Sequence, residues 1–269
     1  MKYSTKSNLI RRFVVVAFSF LIVGCATRPT PIDRDTAMRI HRVSVISLTA
    51  KEFTRQYTGL TIFGNEKDKL DISDWIVDEQ YEAQLAAELE KFPGITVVKA
   101  PYSVVEFSHV NNFNILRWRR LSPNWNAIED ATKNYCFRNS LDGVLVLASK
   151  TSNDFLAQTN QFLAGVGIYA THRLQRRVSV MHLISEMALF DCRTAKPIAV
   201  RILANNQTGL PGAIVNSAPI LIISQDISRR PIAQWSEEQM QQVHTQLLAL
   251  PGNAWSSTLK SIFPDKSSE

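Results

Sequence analysis

Apolar residues recur along the chain at two different spacings, and the spacing predicts which segments are strands and which are helices. Residues 41–48 alternate between apolar and polar side chains and are predicted as a β-strand. Residues 74–92 carry an apolar residue at every fourth position, which predicts one buried helix face: Val77, Tyr81, Leu85 and Leu89. Ser73 is suited to cap the start of this helix, and Pro93 with the glycine after it ends the pattern.

Shorter apolar runs predict the elements of the middle of the chain. They indicate an extended segment at 57–63, strands at 95–98, 144–147 and 166–169, and a helix at 125–137. The run at 144–147 is apolar without interruption, which is typical of a central strand that is buried on both faces.

The last third of the chain predicts a β-hairpin followed by helices. Two strands, 178–190 and 198–203, flank a polar turn at 191–196. Ser236 and Gln239 have the spacing of a capping box, and apolar residues follow them at helical intervals. A proline and a glycine then separate this helix from a shorter helix near the carboxyl end.

The order of these elements predicts an α/β sandwich of two or three layers. Helices cover the faces of a mixed sheet, and the sheet includes a C-terminal antiparallel hairpin. We assign residues 40–264 to this single domain. The turn with Asp191, Thr194 and Lys196 resembles the hairpin turn of the periplasmic α/β domain shared by the curli-pore lipoprotein CsgG and the amino-terminal part of TolB. This resemblance covers residues 40–205 and implies the same fold.

The amino-terminal segment has the pattern of an export signal. A basic stretch ends in Arg11 and Arg12, and an apolar run follows at 13–24. A helix of that length spans about 18 Å, which is too short for a hydrocarbon core of about 30 Å. Residues 1–24 are therefore predicted to be a signal peptide and not a membrane span.

The end of the apolar run resembles the lipobox of bacterial lipoproteins. Ile22, Gly24 and Cys25 stand at the three positions that define this motif, and Val23 is a tolerated residue between them. The resemblance implies cleavage before Cys25, lipid on its sulfur and amine, and stable attachment to a membrane. Ala26 follows in place of the aspartate that retains lipoproteins at the inner membrane, which implies the periplasmic face of the outer membrane.

Two polar segments flank the expected domain. Residues 25–39 contain two prolines and no periodic pattern, which predicts a lipidated tether. Residues 265–269 are predicted to be a disordered tail.

The charge balance argues against nucleic acid as a partner. The net charge is +6, with 30 basic and 24 acidic residues. Residues 1–24 hold four of the bases and no acid, so 26 basic and 24 acidic residues remain after removal of the signal peptide. A nearly neutral body lacks the general positive charge with which proteins bind phosphate polymers.

The ionisable residues do not assemble into a recognisable catalytic or cofactor motif. The five histidines lack the spacing of a metal site, so we expect no cofactor. His182 and Glu186 lie about 13 Å apart along one predicted strand, which is too far for an acid–base pair.

An acidic stripe is predicted on the helix at 74–92. Asp74, Asp78 and Glu82 recur at every fourth position, where they form either a solvated face or a site for a cation or a basic partner.

Cys136 and Cys192 follow the lipobox cysteine in the sequence. In an oxidising compartment they could form a disulfide, and the alternative is two separate buried thiols.

Residues 210–223 are too apolar for a disordered loop and lack a clear period. They either cover the core or contact a partner through five aliphatic residues: Ile214, Val215, Ile220, Leu221 and Ile222. A second apolar stretch at 154–164 raises the same alternatives.

These observations favour a non-enzymatic, lipid-anchored binding or assembly module of the cell envelope. The expected partners are the membrane, through Cys25, and another envelope protein or a second copy of this chain. The alternative is a periplasmic hydrolase whose site is assembled only in three dimensions.

Overall fold

Strands from all parts of the described chain form one mixed sheet in the computed structural model. The structure describes residues 30–107, 125–153, 159, 161–173, 176–205 and 218–263. Within these residues the sheet has ten strands. The strands are β1 Arg42–Leu48, β2 Glu52–Thr58, β3 Glu66–Asp71, β4 Thr96–Val97, β5 Gly143–Ser149, β6 Thr151–Asn153, β7 Phe162–Arg173, β8 Arg176–Asp191, β9 Lys196–Ile202 and β10 Ile220–Ile222.

The strand order is β3-β2-β7-β8-β5-β1-β4, with β6 paired to β7 and with β9 and β10 paired to β8. The β1–β4, β1–β5 and β2–β7 pairs are parallel, and the other pairs are antiparallel. β8 joins the two halves of the sheet, since residues 176–184 pair with β7 and residues 185–191 pair with β5. The predicted mixed sheet and the β8–β9 hairpin are both confirmed.

Helices cover the sheet on both faces, so the fold has three layers. The helices are α1 Arg34–Arg39, α2 Val77–Leu89, α3 Glu129–Asn139, α4 Gln225–Arg229, α5 Glu237–Ala249 and α6 Ala254–Ile262. The larger core joins α2, α5 and α6 to one face of the sheet. A smaller core joins α3 to the other face of β1 and β5. No helix in the described ranges is long and apolar enough to cross a membrane.

Helix α2 begins three residues later than the sequence pattern predicts. Residues Ser73–Trp75 form a separate 3-10 turn, and Ile76 then adopts a left-handed conformation with φ 48°. The hydroxyl of Ser73 donates to Asp71 and does not cap the helix. The four apolar residues that begin with Val77 are all buried, so the predicted core face is confirmed.

β2 and β3 differ from the extended segment predicted at 57–63. β2 lies earlier in the chain, and Ile62–Gly64 forms a 3-10 turn before β3. The guanidinium of Arg55 on β2 is fully buried and pairs with Glu66 and Asp68 of β3. Apolar periodicity could not detect this strand pair, because ion pairs connect the strands and β3 is rich in charge.

The domain begins earlier than the predicted boundary at residue 40. Ile32 is buried, and its amide donates to the carbonyl of Ile262 at 2.9 Å. Helix α1 then starts at the capping residue Asp33, whose carboxylate accepts the Thr36 amide at 2.8 Å. Residues 30–39 are therefore part of the folded domain and not of a free tether. The predicted signal peptide, Cys25 and the tail predicted at 265–269 lie outside the described residues.

Candidate functional site

The acidic stripe does not form one exposed surface. Asp74 is exposed in the 3-10 turn, whereas Asp78 and Glu82 point from α2 towards the carboxyl end of β1. Asp78 accepts hydrogen bonds from the Ser47 hydroxyl at 2.5 Å and from the Thr49 amide at 2.9 Å. The stripe is thus divided between solvent and the protein interior.

The two inward carboxyl groups bind the end of β1, where the strand leaves the sheet. Asp78 also accepts the Ala50 amide, and Glu82 accepts the Ser47 amide at 2.8 Å. The Tyr102 hydroxyl donates to the same Glu82 oxygen. These contacts satisfy backbone amides that would otherwise be buried without an acceptor, so the carboxyl groups stabilise the fold.

Burial affects the protonation of this cluster. It raises the pKa of Asp78 and the pKa of Glu82, although the hydrogen bonds that both carboxyl groups accept oppose the shift. Burial, followed by the hydrogen bond to Glu82, also raises the pKa of Tyr102. Protein donors bind both oxygens of Asp78 and one oxygen of Glu82, so these two side chains do not share a solvated face with Asp74, and binding of a cation or a basic partner stays a prediction. No group of three possible metal ligands occurs in the part of the chain that the structure describes.

A second group of buried polar side chains lies where the pairing partner of β8 changes from β5 to β7. Lys150 follows β5, and its ammonium group lies 2.9 Å from the carboxylate of Glu186, with both side chains buried. His182 is also buried, and its Nδ1 lies 3.3 Å from the Gly165 carbonyl oxygen. Burial lowers the pKa of His182 to about 4, so the ring is neutral at pH 7.

His182 and Glu186 stand four residues apart on β8, as predicted, whereas the partner of Glu186 was not predicted from the sequence. Lys150 stands 36 residues away in the sequence, directly after an apolar run that gives no sign of a buried charge. The Lys150–Glu186 ion pair and the neutral His182 are thus two separate buried polar groups along β8.

A cleft of about 370 Å³ lies at the carboxyl ends of β1 and β5. This position is typical of ligand sites in open α/β sheets. Its walls are Leu48, Thr49, Lys51, Glu52, Thr54, Asp71, Ser149, Ala164 and Gly165. The described lining holds hydroxyl groups, carboxylates and Lys51 but no histidine, and the side chains of the buried polar groups around it are not part of the lining. It therefore offers no assembled base–nucleophile pair for the hydrolase alternative.

The apolar segment at 210–223 is partly core and partly surface. Ala218 and Ile223 are buried, and between them β10 pairs with residues 180–182 of β8. Ile222 is 84% exposed and Leu221 is 37% exposed. Within the described residues β10 pairs only with β8, so its other edge faces away from the sheet. Ile214 and Val215 lie outside the described residues.

The second apolar stretch meets the first on one face of the sheet. Leu163 of β7 is buried in a small cluster that also contains Ala218, together with side chains of β7 and β8. Phe162, its neighbour, is partly exposed. The structure thus brings together the ends of the two segments, 154–164 and 210–223, although they lie far apart in the sequence.

Cys136 and Cys192 form a disulfide that links α3 to the β8–β9 turn. Their Cα atoms lie 5.6 Å apart, and the bond connects residues 56 positions apart in the sequence. The sequence alone left this pairing open, because it did not show that α3 packs beside the hairpin turn.

A groove of about 590 Å³ runs past this disulfide, at the end of the sheet opposite the cleft. It lies between the end of α1, the end of α3 and the β8–β9 turn. Its lining comprises Thr36, Arg39, Ile40, Lys133, Asn134, Cys136, Phe137, Ser140, Leu141, Asp142, Asp191, Cys192 and Arg193. No sequence motif marks this groove, because its residues come from three separate segments.

Comparison with known proteins finds distant structural neighbours only. No protein-family model matches the chain, and no curated protein matches it. The lipoprotein GNA1162 from Neisseria meningitidis is 13% identical, with 77% of this chain and 95% of that chain covered and a TM-score of 0.28. The hypothetical protein CT253 from Chlamydia trachomatis is 9% identical, with 79% and 98% covered and a TM-score of 0.26. Likeness at this level carries no argument about function.

Proposed function

We propose that this chain is a non-enzymatic, lipid-anchored protein of the bacterial outer membrane that binds another envelope protein, or a second copy of itself, through β10. The observation that carries the proposal is the apolar edge of β10, where Ile222 is 84% exposed. Exposed apolar edge strands are rare on monomeric proteins, because their unpaired backbone groups accept strands from other chains.

The anchor is supported by the amino-terminal sequence. Ile22, Gly24 and Cys25 match the lipobox, and the described domain starts at Thr30. Six residues, 25–30, reach at most about 20 Å when fully extended. A lipid on Cys25 would therefore hold the domain within a short distance of the membrane surface.

The geometry of β10 suits the addition of a partner strand. Its backbone is extended and its inner edge is fixed by β8, with Leu221 opposite Met181. A partner strand would gain main-chain hydrogen bonds along the outer edge and apolar contacts with Ile222 and Leu221. Membrane attachment of both partners would raise their effective concentration, so a short edge is enough for specific association.

Replacement of Ile222 by serine tests the binding surface. We expect Ile222→Ser to reduce capture of the partner from native membranes at least tenfold while the melting temperature changes little, because the side chain is exposed. Phe63→Ser is the matched control, since Phe63 is 94% exposed in the loop between β2 and β3. Sedimentation of the purified chain distinguishes self-association from binding to another protein.

One result of the same experiment would contradict the proposal. If Ile222→Ser lowers the melting temperature sharply and leaves capture unchanged, the strand belongs to the core and the partner binds elsewhere. The anchor is tested separately by Cys25→Ser, which should abolish both precursor cleavage and incorporation of labelled palmitate. Normal processing of Cys25→Ser would refute lipidation.

A further inference from the structure

The groove beside the disulfide has an apolar floor. Ile40 and Leu141 are buried at its base, and the disulfide forms part of one wall. Phe137 stands at the opening with 87% of its surface exposed. The ring of Phe137 therefore extends the apolar floor of the groove to its opening.

The rim of the groove is positively charged. Arg39, Lys133 and Arg193 approach it from three separate segments, and all three are exposed. Arg39 donates to the Thr36 hydroxyl at 3.1 Å. None of the three cations forms an ion pair with a carboxylate in the described part of the chain.

The two acidic residues of the lining accept hydrogen bonds from backbone amides. Asp142 accepts the amides of His41 and Arg42, at 3.1 and 2.8 Å, and thereby joins α1 to β1. Asp191 accepts the Arg193 amide at 2.9 Å within the hairpin turn. Neither carboxylate forms an ion pair with the three cations in the described residues, so the lining of the groove carries three cationic and two anionic side chains, with the three cations exposed at its rim.

We propose that this groove binds a single aliphatic chain that carries an anionic headgroup. The chain would lie on Ile40, Leu141 and the disulfide, under the ring of Phe137. The headgroup would be held by Arg39, Lys133 and Arg193, since guanidinium and ammonium groups bind carboxylates and phosphates through charge-assisted hydrogen bonds. The volume of about 590 Å³ lies within the range of about 300–1,000 Å³ that is usual for small-molecule sites.

The charged rim favours a separate amphiphile over the protein's own acyl group as the source of the aliphatic chain. An acyl group attached to Cys25 of the same protein would bring no anion to the rim. A free fatty acid or a single-chain phospholipid would satisfy both the apolar floor and the cations. The proposal concerns a ligand at the end of the fold opposite the cleft and does not depend on the β10 interface.

Titration calorimetry of the purified, oxidised chain with twelve-carbon amphiphiles below their micellar concentration tests the proposal. We expect laurate, dodecyl phosphate or both to bind, and dodecyltrimethylammonium to bind at least tenfold more weakly. A preference for laurate would indicate a fatty acid, and a preference for dodecyl phosphate would indicate a phospholipid headgroup. Equal binding of the cationic amphiphile would overturn the role of the rim.

Variants locate the binding in the groove. Lys133→Gln combined with Arg193→Gln should weaken binding of the anion at least tenfold, and Phe137→Ser should weaken it severalfold. Each of these side chains is exposed, so the fold is retained, which circular dichroism checks. Lys51→Gln is the matched control, since Lys51 is exposed and lines the opposite cleft. Failure of both anions to bind, or an equal loss in Lys51→Gln, would refute the site.

Discussion

Removal of the disulfide between Cys136 and Cys192 should lower the free energy of unfolding by about 4 kcal/mol. The bond joins residues 56 positions apart, and the loop-closure relation then gives an entropy of about 14 cal/mol/K, or about 4 kcal/mol at 25 °C. For a domain of this size, each kcal/mol corresponds to roughly 2–4 °C of melting temperature. The expected decrease is therefore roughly 8–16 °C.

The double variant Cys136→Ala with Cys192→Ala is suited to measuring this effect. Cys136 is buried in the smaller core, so alanine leaves a small cavity but no unsatisfied hydroxyl group. Urea unfolding should show a lower midpoint for the variant than for the oxidised protein. Reductant should lower the midpoint of the natural sequence towards that of the variant and leave the variant unchanged.

Two results would refute this reasoning. The first is the detection of two free thiols at positions 136 and 192 in the folded protein after isolation from an oxidising compartment. The second is a difference of less than about 1 kcal/mol between the oxidised protein and the double variant, which would mean that the link does not restrict the unfolded chain as the loop-closure relation assumes.

Three further substitutions test the buried polar groups and one close backbone contact. Burial lowers the pKa of His182 from 6.5 to about 4, so the unfolded chain binds the proton first as the pH falls. The free energy of unfolding should therefore decrease below about pH 6.5 and be about 2 kcal/mol lower at pH 5. Urea unfolding of His182→Gln at pH 7 and pH 5 should lack this part of the loss. Asp78→Ala should cost about 3 kcal/mol, because it removes the acceptor of two β1-end amides and a hydroxyl, and Asp78→Asn should cost less in the same assay. Gly167→Ala should cost roughly 3 kcal/mol in thermal unfolding, because its Cβ would lie 2.2 Å from the Thr54 carbonyl oxygen; an unchanged melting temperature would show that β2 and β7 can separate.

Elements that depend on neighbouring residues were predicted well from the sequence. The capping box of Ser236 and Gln239 is present as expected, with both of its hydrogen bonds formed. The β8–β9 hairpin turns at the polar segment after Asp191, and the Asp191 side chain accepts the Arg193 amide. Caps and short turns involve atoms only a few residues apart, so their residue types predict them directly.

The remaining features depend on residues that are distant in the sequence. Arg55 is fully buried because acidic residues of β3 and carbonyl groups near α4 surround it, and no pattern within β2 indicates this. The Lys150–Glu186 pair and the residues that line the groove likewise come together only through the strand order. Periodicity reports which face of an element is apolar, whereas it carries no information on which charged residues will meet across a sheet.

The parallel pairs of the sheet have a consequence for the timing of folding during synthesis. Val43 of β1 pairs with Gly143 of β5, one hundred residues later, and Phe53 of β2 pairs with Val166 of β7 at a similar separation. The ribosome adds about 5–20 residues per second, so β1 lacks β5 and β2 lacks β7 for roughly 5–20 s after they are made, although β2 can pair with β3 within that time. The edges that β5 and β7 later occupy stay open throughout this interval, which makes β1 and β2 a segment that a chaperone would protect before the sheet closes.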